Sequence, residues 1–202
     1  MIILGLTGGI ACGKSTVSSY LRELGAPIVD ADAIAIALAE KGQPVYNAFV
    51  KHFGPEIALG SDGSLNRAAI GEMVFRDKGE RRWMDRATHP LIRGEVENRL
   101  KGLADKGTEI AVVDVPLLFE AGWEDLCEVI WVVSVSPQIQ LKRLMKRNGL
   151  SEKLAQDRIN SQMALAEKLR RADTVIDNSG TIEETRSLVL KAWERLNAAQ
   201  CV

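Results

Sequence analysis

The residues with the clearest potential for chemistry lie near the start of the chain, where positions 8–15 read G-G-I-A-C-G-K-S. This octet matches G-x-x-x-x-G-K-[ST], the Walker A or P-loop pattern. In such a loop, backbone N–H groups at a helix N-terminus point inward and bind phosphate oxygens. Lys14 would bring a positive charge to the β- and γ-phosphates, and the Ser15 hydroxyl would ligate the Mg²⁺ that bridges them. The pattern therefore predicts binding of a nucleoside triphosphate.

The phosphate-binding residues are expected in this loop and in the first turn of the helix behind it. They are Gly8, Gly9, Ile10, Ala11, Cys12, Gly13, Lys14, Ser15 and Thr16. Ala11 carries a Cβ atom, so we expect it in an ordinary backbone region rather than at a positive φ. The Cys12 thiol would lie beside inward-facing N–H groups and a lysine, which favours a reactive thiolate. The alternative is a buried, inert side chain packed under the loop.

Two carboxylates, Asp30 and Asp32, end the second apolar run of the chain in I-V-D-A-D. Side chains two residues apart on an extended chain point the same way, so both could face a bound γ-phosphate. By analogy with other kinases, at least one of them would act as general base or organise Mg²⁺. The alternative is that Asp32 only caps a helix running from Ala33 to Glu40.

Asp114 closes a further apolar run, A-V-V-D, which is the Walker B pattern of a metal-binding carboxylate at a strand end. The residues that follow, 115–120, are unusually apolar for a loop beside phosphates. Pro116, Leu117 and Leu118 could therefore line a pocket for a part of the acceptor that carries no phosphate. Ordinary core packing is the alternative.

Arg143 and Arg147 are four residues apart in a basic helical pattern, so their side chains share one helix face. Such a pair could bind phosphoryl oxygens as a clamp supplied from a lid. A solvated basic face is the alternative. Further polar candidates are Arg67, His89, Arg93 and Arg158. Because His89 precedes Pro90, it could equally be a turn residue.

Short apolar runs would form the strands that position these groups. They are expected at 2–6, 27–30, 110–114, 129–133 and 174–177. Their continuous hydrophobicity is typical of parallel strands covered by helices on both faces. Between them, Gly25 can end a first helix, Ser136-Pro137 can begin another, and 181–184 reads as a capping box. The prediction is an α/β fold with a five-stranded, parallel, doubly wound sheet.

Two stretches are longer than strand connections require. The first, about 32–106, is helical and is punctuated by turn residues, of which His89-Pro90 is the last pair; the second, about 138–171, is rich in Lys and Arg. In α/β proteins, function commonly lies in such excursions. The first stretch could also simply enlarge the core. We expect a single domain over 1–202. Its core would be 1–31, 107–137 and 172–202.

Composition excludes several classes of protein. The 26 Lys and Arg residues nearly balance 27 Asp and Glu residues, so no overall field attracts nucleic acid or an acidic membrane. Cys12, Cys127 and Cys201 are widely spaced, which argues against a disulfide framework or a zinc site. No run approaches the ~18 apolar residues of a membrane span, and no basic segment precedes the first apolar run. We expect a cytoplasmic protein that is a monomer or a weak homo-oligomer.

Taken together, the motifs resemble those of the dephospho-coenzyme A (dephospho-CoA) kinase family. The matching segments are G-L-T-G-G-I-x-x-G-K-S-T at 5–16, L-G-x-x-x-x-D-A-D at 24–32, F-G at 53–54, D-G-x-L at 62–65, H-P at 89–90, P-L-L-F-E at 116–120 and Q-x-x-R-L-x-x-R at 140–147. They span nearly the whole chain. Two departures are Ala11-Cys12, where many members carry Gly-Ser, and Asn66, where many carry Asp.

The resemblance implies ATP- and Mg²⁺-dependent phosphorylation of the ribose 3′-hydroxyl of dephospho-CoA. It also implies a P-loop kinase core with a helical acceptor-binding region and a helical lid. Asp32 matches the family's catalytic base and Asn178 a position close to adenine. Arg143 and Arg147 match its lid arginines, the first expected in catalysis with Lys14 and the second in ATP binding. The remaining acceptor-binding candidates are Arg67, His89, Pro116, Leu117 and Leu118.

Two other functions remain open. A small-molecule kinase of the shikimate or gluconate type would also suit D-x-D after the second strand, although its compact acceptor would not require the long helical stretch. A nucleotide switch that slowly hydrolyses GTP would carry an N-K-x-D guanine signature, and the sequence has none.

Overall fold

The fold is an α/β arrangement around one sheet. The computed structural model describes residues 1–198, and within them the chain forms five strands and ten α-helices. The strands are β1 (Ile2–Gly8), β2 (Ile28–Asp30), β3 (Ile110–Asp114), β4 (Val129–Ser134) and β5 (Thr174–Asp177). The sheet is parallel, in the order β2-β3-β1-β4-β5. The predicted α/β class and the five predicted strands are confirmed.

The helices separate the strands and follow one another in the middle of the chain. They are α1 (Lys14–Glu23), α2 (Ala31–Leu38), α3 (Pro44–Phe53), α4 (Pro55–Ala58), α5 (Arg67–Arg76), α6 (Lys78–Ala104), α7 (Pro137–Asn148), α8 (Glu152–Asn160), α9 (Leu165–Arg170) and α10 (Ile182–Ala198). The five consecutive helices α2 to α6 account for the first of the two long stretches.

Three helix ends form where the sequence signals them. Gly25 follows α1 at a φ of 88°, a left-handed conformation that glycine adopts without strain. The Ser136 hydroxyl caps α7 by accepting the N–H of Ile139 at 3.4 Å. Before α10, the Thr181 N–H donates to Glu184 Oε2 at 2.7 Å and the Glu184 N–H donates to Thr181 Oγ1 at 3.2 Å. The predicted capping box is thus confirmed.

β1 is the central strand and leads into the glycine loop. It pairs with β3 on one side and β4 on the other, so that Leu6 lies opposite Asp114 and Trp131. Gly8, the last residue of β1, lies opposite Val133. Because parallel strands point their carboxyl ends the same way, the loop and Asp114 leave the same edge of the sheet.

The chain divides into two compact units, of which the first is built on the sheet. This sheet unit comprises Met1–Val29 and the chain from Leu103 onwards. Its buried core includes Leu4, Leu6, Val17, Leu21, Val112, Trp131, Val133, Ile176 and Val189. These side chains come from four strands and from α1 and α10, so the continuous apolar runs read in the sequence are buried under helices as expected.

The second unit, Asp30–Gly102, contains α2 to α5 and most of α6, and we call it the helical unit. Its separate core is apolar and aromatic. The buried members are Val45, Tyr46, Phe49, Phe53, Ala58, Leu65, Ile70 and Val74. Phe49 and Phe53 meet edge to face with 6.0 Å between ring centroids, and both contact Trp83 of α6. This unit overlaps the helical region predicted at about 32–106.

His89 and Pro90 do not form a turn, so the turn alternative for His89 is wrong. Both lie inside α6, a helix of 27 residues. A proline lacks only its own N–H, so it removes the bond to the carbonyl four residues earlier, and the turns on either side continue the helix. Val96 and Leu100 on the following turns are buried, as their helical spacing predicts.

Within residues 1–198, no helix is both long enough and apolar enough to cross a membrane. Cys12 is buried and Cys127 is half-buried. Cys201 lies outside the described residues.

Candidate active site

The glycine loop at 9–13 turns sharply between β1 and α1. Gly13, the N-cap residue of α1, has a φ of 86° and a ψ of 31°, in the left-handed region. Ala11 also has a positive φ, 61°. The expectation of an ordinary backbone at Ala11 is therefore wrong. The loop imposes this conformation on a residue with a Cβ atom, which costs about 1–2 kcal/mol relative to the right-handed region.

The predicted phosphate-binding lysine and the predicted metal-binding carboxylate are in contact. Lys14 Nζ forms an ion pair with Asp114 Oδ1. The Asp114 side chain is 5 % exposed and that of Lys14 is 19 % exposed. In the first turn of α1, Ser15 is exposed, and the Thr16 N–H donates to the Gly13 carbonyl at 3.0 Å. The structure thus brings the Walker A cation and the Walker B carboxylate together at one edge of the sheet.

Three amide side chains hold the backbone of the loop. Gln140 Nε2 donates to the Ile10 carbonyl at 2.9 Å, and the Ile10 N–H donates to Gln162 Oε1 at 2.9 Å. Asn178 Nδ2 donates to the Cys12 carbonyl at 2.8 Å. These partners are 130, 152 and 166 residues away in the sequence. The conformation of the loop is therefore imposed by distant parts of the chain as well as by its glycines.

Asn178 is buried rather than open to a ligand. Its Oδ1 accepts the Thr185 hydroxyl at 2.8 Å, while its Nδ2 is bonded to the loop. A Cβ atom on Gly13 would overlap Nδ2, so this packing also requires glycine at position 13. The structure thus gives Asn178 a role in holding the loop, and its expected proximity to adenine stays a prediction.

Cys12 packs beneath the loop and is fully buried. Burial raises the pKa of its thiol above the ordinary value. Backbone hydrogen bonds at Gly9 and Val135 and the charge of Arg143 lower this pKa. Desolvation is the largest of these effects. The structure therefore favours the inert, buried alternative over the predicted reactive thiolate.

The two arginines predicted as a clamp have different surroundings. Arg143 is half-buried, and its Nη1 lies 3.9 Å from the position that a Cβ on Gly13 would take. Arg147 is exposed, and its Nε donates to Asn148 Oδ1 at 2.9 Å. Arg143 therefore lies beside the P-loop, whereas the Arg147 guanidinium contacts the side-chain amide of Asn148. Joint action on one phosphoryl group stays a prediction.

Asp30 and Asp32 do not lie on one extended segment. β2 ends at Asp30, whose side chain caps α2 by accepting the N–H of Ala33 at 3.0 Å. Asp32 lies in the first turn of α2 and is exposed. The premise that both carboxylates point the same way is wrong, because the helix begins at Ala31. The suggestion that Asp32 is the helix cap is also wrong, since Asp30 has that role.

The other predicted acceptor residues of the helical unit lie on α5 and α6. Arg67 begins α5 and lines a cavity of about 260 Å³ whose other walls are mainly apolar and include Phe49 and Met84. His89 is half-buried on α6, and its Nε2 lies 3.8 Å from Asp85 Oδ1 one turn earlier. Arg67 is thus the one charged side chain in the wall of this cavity, among the residues that the structure describes.

Pro116, Leu117 and Leu118 differ in exposure. Leu118 is fully buried and would lie 2.8 Å from a Cβ atom on Gly5, so core packing is the correct interpretation for this residue. Leu117 is 43 % exposed. The Pro116 carbonyl accepts the Thr7 hydroxyl at 3.0 Å. A pocket lined by Pro116 and Leu117 stays a prediction.

Three residues near the loop were not predicted to have a role: Gln140, Gln162 and Lys168. One signal was available for Gln140, because it lies four residues before Leu144 on the buried face of α7. A polar residue in an apolar helical stripe indicates an internal hydrogen bond. Lys168 is 0 % exposed and contacts Glu120, and no local pattern distinguishes it from a surface lysine.

The donor set at the loop suits Mg²⁺. The side chains of Ser15 and Asp114 carry oxygen atoms, the type of ligand that this ion prefers. Mg²⁺ is commonly held by one or two protein groups, with substrate phosphates and water completing the octahedron. Among residues 1–198, no group of three or more His, Cys, Asp or Glu is arranged to hold a metal ion. The residues therefore fit an ion bound together with a nucleotide rather than in a cage made only of protein.

Comparison with known proteins assigns the family. A model of the dephospho-CoA kinase family matches residues 2–184. A dephospho-CoA kinase of Symbiobacterium thermophilum is 47 % identical over 193 residues, which cover 96 % of this chain and 80 % of that protein. The chain belongs to the dephospho-CoA kinase family. The resemblance read from the motifs is thus confirmed.

Solved structures agree with this assignment. A dephospho-CoA kinase from Campylobacter jejuni superimposes with a TM-score of 0.75 at 29 % identity, over 98 % of each chain. A shikimate kinase from Bacteroides thetaiotaomicron gives a TM-score of 0.51 at 16 % identity, over 97 % of this chain and 98 % of that one. The second likeness concerns the fold alone. The family assignment therefore favours neither the shikimate or gluconate type of kinase nor the nucleotide switch.

Proposed function

We propose that this chain transfers the γ-phosphoryl group of ATP to the ribose 3′-hydroxyl of dephospho-CoA, giving CoA and ADP. This reaction is the last step of CoA biosynthesis. Family membership supports the choice of substrate. The observation that carries the proposal is the contact of Lys14 with Asp114 at the P-loop, since it brings together the two groups that we assign to phosphate and metal.

In this proposal the loop binds the triphosphate through backbone N–H groups at the N-terminus of α1. Lys14 contacts the β- and γ-phosphates. Arg143, beside Gly13, supplies a second positive charge where negative charge develops on the transferred group. Phosphoryl transfer passes through a loose transition state, so positioning and charge stabilisation account for most of the catalysis.

We assign Ser15 and Asp114 as the protein ligands of Mg²⁺. When bound there, the ion would neutralise negative charge that develops on the β- and γ-phosphates. Asp114 is nearly buried beside Lys14, so its negative charge also offsets the ammonium there. The support is the chemistry of the two oxygen ligands and their place at the carboxyl edge of the sheet.

As general base we propose Asp32. It accepts the proton of the 3′-hydroxyl as this oxygen bonds to the γ-phosphorus and the bond from phosphorus to the β–γ bridging oxygen breaks. The first turn of α2 suits this role, because the helix dipole favours the ionised carboxylate. Asp30 caps the helix by accepting the Ala33 N–H. The choice between the two carboxylates rests on the family resemblance, in which Asp32 matches the catalytic base.

We assign acceptor binding to the helical unit and a lid to 138–171. An apolar cavity with an arginine in its wall suits a molecule that has both an uncharged arm and phosphates. Within this unit, Arg67 would bind a phosphate and His89 would be a further contact. The exposed Leu117 of the sheet unit is a separate candidate for contact with the acceptor. On the lid, Arg147 would contribute to ATP binding. We propose a monomer or a weak homo-oligomer with no nucleic-acid partner, in keeping with the balanced charge.

The test is ADP release by the purified full chain, measured with dephospho-CoA, shikimate, gluconate, nucleoside monophosphates and no acceptor. We expect turnover with dephospho-CoA alone. Mass spectrometry of fragments from the product should place the new phosphate on the ribose 3′-oxygen. Equal ADP release without an acceptor, or a preference for shikimate or gluconate, would show the proposal to be wrong.

A further inference from the structure

Lys168 is an ammonium group enclosed by protein. Its side chain is 0 % exposed on α9. Lys168 Nζ lies 2.9 Å from Glu120 Oε1 and 3.0 Å from Glu120 Oε2, and it donates to the Pro116 carbonyl at 3.2 Å. Removing a charge from water is costly, and it is tolerated when partners of good geometry replace the water. A lysine at this position therefore serves a specific contact.

The acceptors of Lys168 lie on the segment that follows Asp114. Pro116 is two residues beyond this carboxylate, and Glu120 ends the same segment. The Pro116 carbonyl also accepts the hydroxyl of Thr7, a buried residue of β1 next to the glycine loop. Lys168 thus fixes the segment at both ends and beside the strand that carries the P-loop.

The residues just before Lys168 contact the same segment and the loop itself. Gln162 Oε1 accepts the Ile10 N–H at 2.9 Å, and the Met163 N–H donates to Glu120 Oε1 at 3.0 Å. We call residues 162–168 the brace. It is hydrogen-bonded to the loop at Ile10 and to Glu120 of the segment 116–120. The brace therefore connects the proposed phosphate-binding loop with the segment that follows Asp114, the proposed metal ligand.

We propose that Lys168 is a positioning residue for phosphoryl transfer. By holding 116–120 through the brace, it keeps Asp114 in register with Lys14 and the P-loop. The effect on rate rests on the proposed function, whereas the effect on the structure does not. A displacement of about 1 Å at groups that align reactants can reduce the rate about 10²-fold. Lys168 itself contacts neither ATP nor the acceptor.

The first experiment compares Lys168→Met, which removes the charge, with Lys168→Arg, which keeps it. Lys191→Met on α10 is the control, because Lys191 is exposed and lies outside the proposed lid. With dephospho-CoA, we expect kcat of Lys168→Met to fall about 10- to 100-fold, as is usual when a group that orients a ligand is removed. Lys168→Arg should recover part of kcat, and the control should match the wild type.

The second experiment measures hydrogen–deuterium exchange of the chain without substrates, so it does not depend on the reaction. In Lys168→Met, peptides covering 9–16 and 115–120 should exchange faster than in the wild type, and peptides of α10 should not change. A lysine that only stabilises the fold would instead raise exchange throughout the sheet unit and leave the rate per folded molecule unchanged.

Glu120→Gln provides an independent variant if Lys168→Met does not fold. Its side chain keeps the oxygen that accepts the Met163 N–H but loses the charge that pairs with Lys168. We expect the same pattern of exchange and the same fall in kcat. Unchanged kcat in the folded variants, or accelerated exchange confined to 115–120, would overturn the proposal. The variants could also show the expected local exchange while the wild-type protein is inactive toward dephospho-CoA. That result would support the role of the brace and reject the proposed function.

Discussion

The sheet unit and the helical unit carry their functional groups in different ways. Near the P-loop, three polar side chains are buried: Gln140 is 4 % exposed, Asn178 8 % and Lys168 0 %. Each of them has a hydrogen-bond partner. In the helical unit, Asp32 and Arg67 are exposed and the core is apolar and aromatic.

This difference follows from the chemistry proposed for each unit. Stabilising charge on a transferred phosphoryl group requires dipoles that are fixed before the substrate arrives. Polar groups can be fixed in this way inside a protein only when each has a partner, and no buried side-chain nitrogen or oxygen among residues 1–198 lacks one. A long acceptor can instead be recognised by an apolar cavity with a few charges. The sheet unit should therefore be the more sensitive to substitution.

The largest expected effect is that of Lys14→Ala. This change removes the cation nearest the transferred group, so kcat/KM should fall on the order of 10³–10⁵, as when other cations at such groups are lost. Steady-state kinetics on the folded variant measure the loss, and Lys191→Ala, at an exposed position outside the proposed lid, serves as control. If Lys14→Ala kept more than about a tenth of the wild-type kcat/KM, a loss below about 1.4 kcal/mol, the role assigned to Lys14 would be wrong.

Asp32→Asn tests the helical unit. Loss of a general base should slow the chemical step by about 10²–10⁴ and leave ATP affinity unchanged. Asp30→Asn is a matched control, because asparagine also caps helices and this variant should keep both stability and rate within small factors. Single-turnover measurements separate the chemical step from product release. Equal, mild effects of the two changes would remove Asp32 from the mechanism.

The two arginines of α7 should give unequal effects. Arg143→Ala should lower kcat about 10²-fold, because its guanidinium lies beside Gly13, where the proposed mechanism develops negative charge. Arg147→Ala should lower kcat less than about fivefold, since an exposed polar contact contributes at most about 1 kcal/mol. A double-mutant cycle reports whether they act on the same group. Equal losses from both substitutions would contradict the distinction drawn from the structure.

Features set by local chemistry could be predicted from the sequence. The P-loop, Asp114 at the end of β3 and the capping box at Thr181 each depend on residues within one short segment. Positions 89–90 show the limit of such reasoning, because a pair typical of turns lies inside a helix that packing sustains on both sides. The same limit applies at Asp30 and Asp32. The strand was predicted correctly, but the helix begins at Ala31 instead of Ala33, so the two side chains do not share one extended segment.

The support around the loop could not be predicted in the same way. Gln140, Gln162 and Asn178 act across more than a hundred residues of sequence, and an amide has the same local pattern whether it holds a loop or faces solvent. Lys168 is the extreme case, because lysine is almost never fully buried without a partner and that partner is 48 residues away. Such contacts depend on topology, which the motifs indicate only in outline.

The smallest expected effect concerns the backbone of the loop itself. At a φ of 61°, Ala11 bears a strain that glycine would not, and the relief should exceed the entropy that glycine loses on folding. Ala11→Gly should therefore raise stability by about 0.5–1 kcal/mol, or the Tm by about 1–4 °C for a chain of this size. Ala192→Gly, inside α10 with an ordinary helical φ, should lower stability by about 1 kcal/mol. Calorimetry on both variants measures the sign of each change. If both substitutions destabilised the protein, Ala11 would not hold the left-handed conformation. The conclusion that distant contacts impose a strained backbone on the loop would then be wrong at this residue.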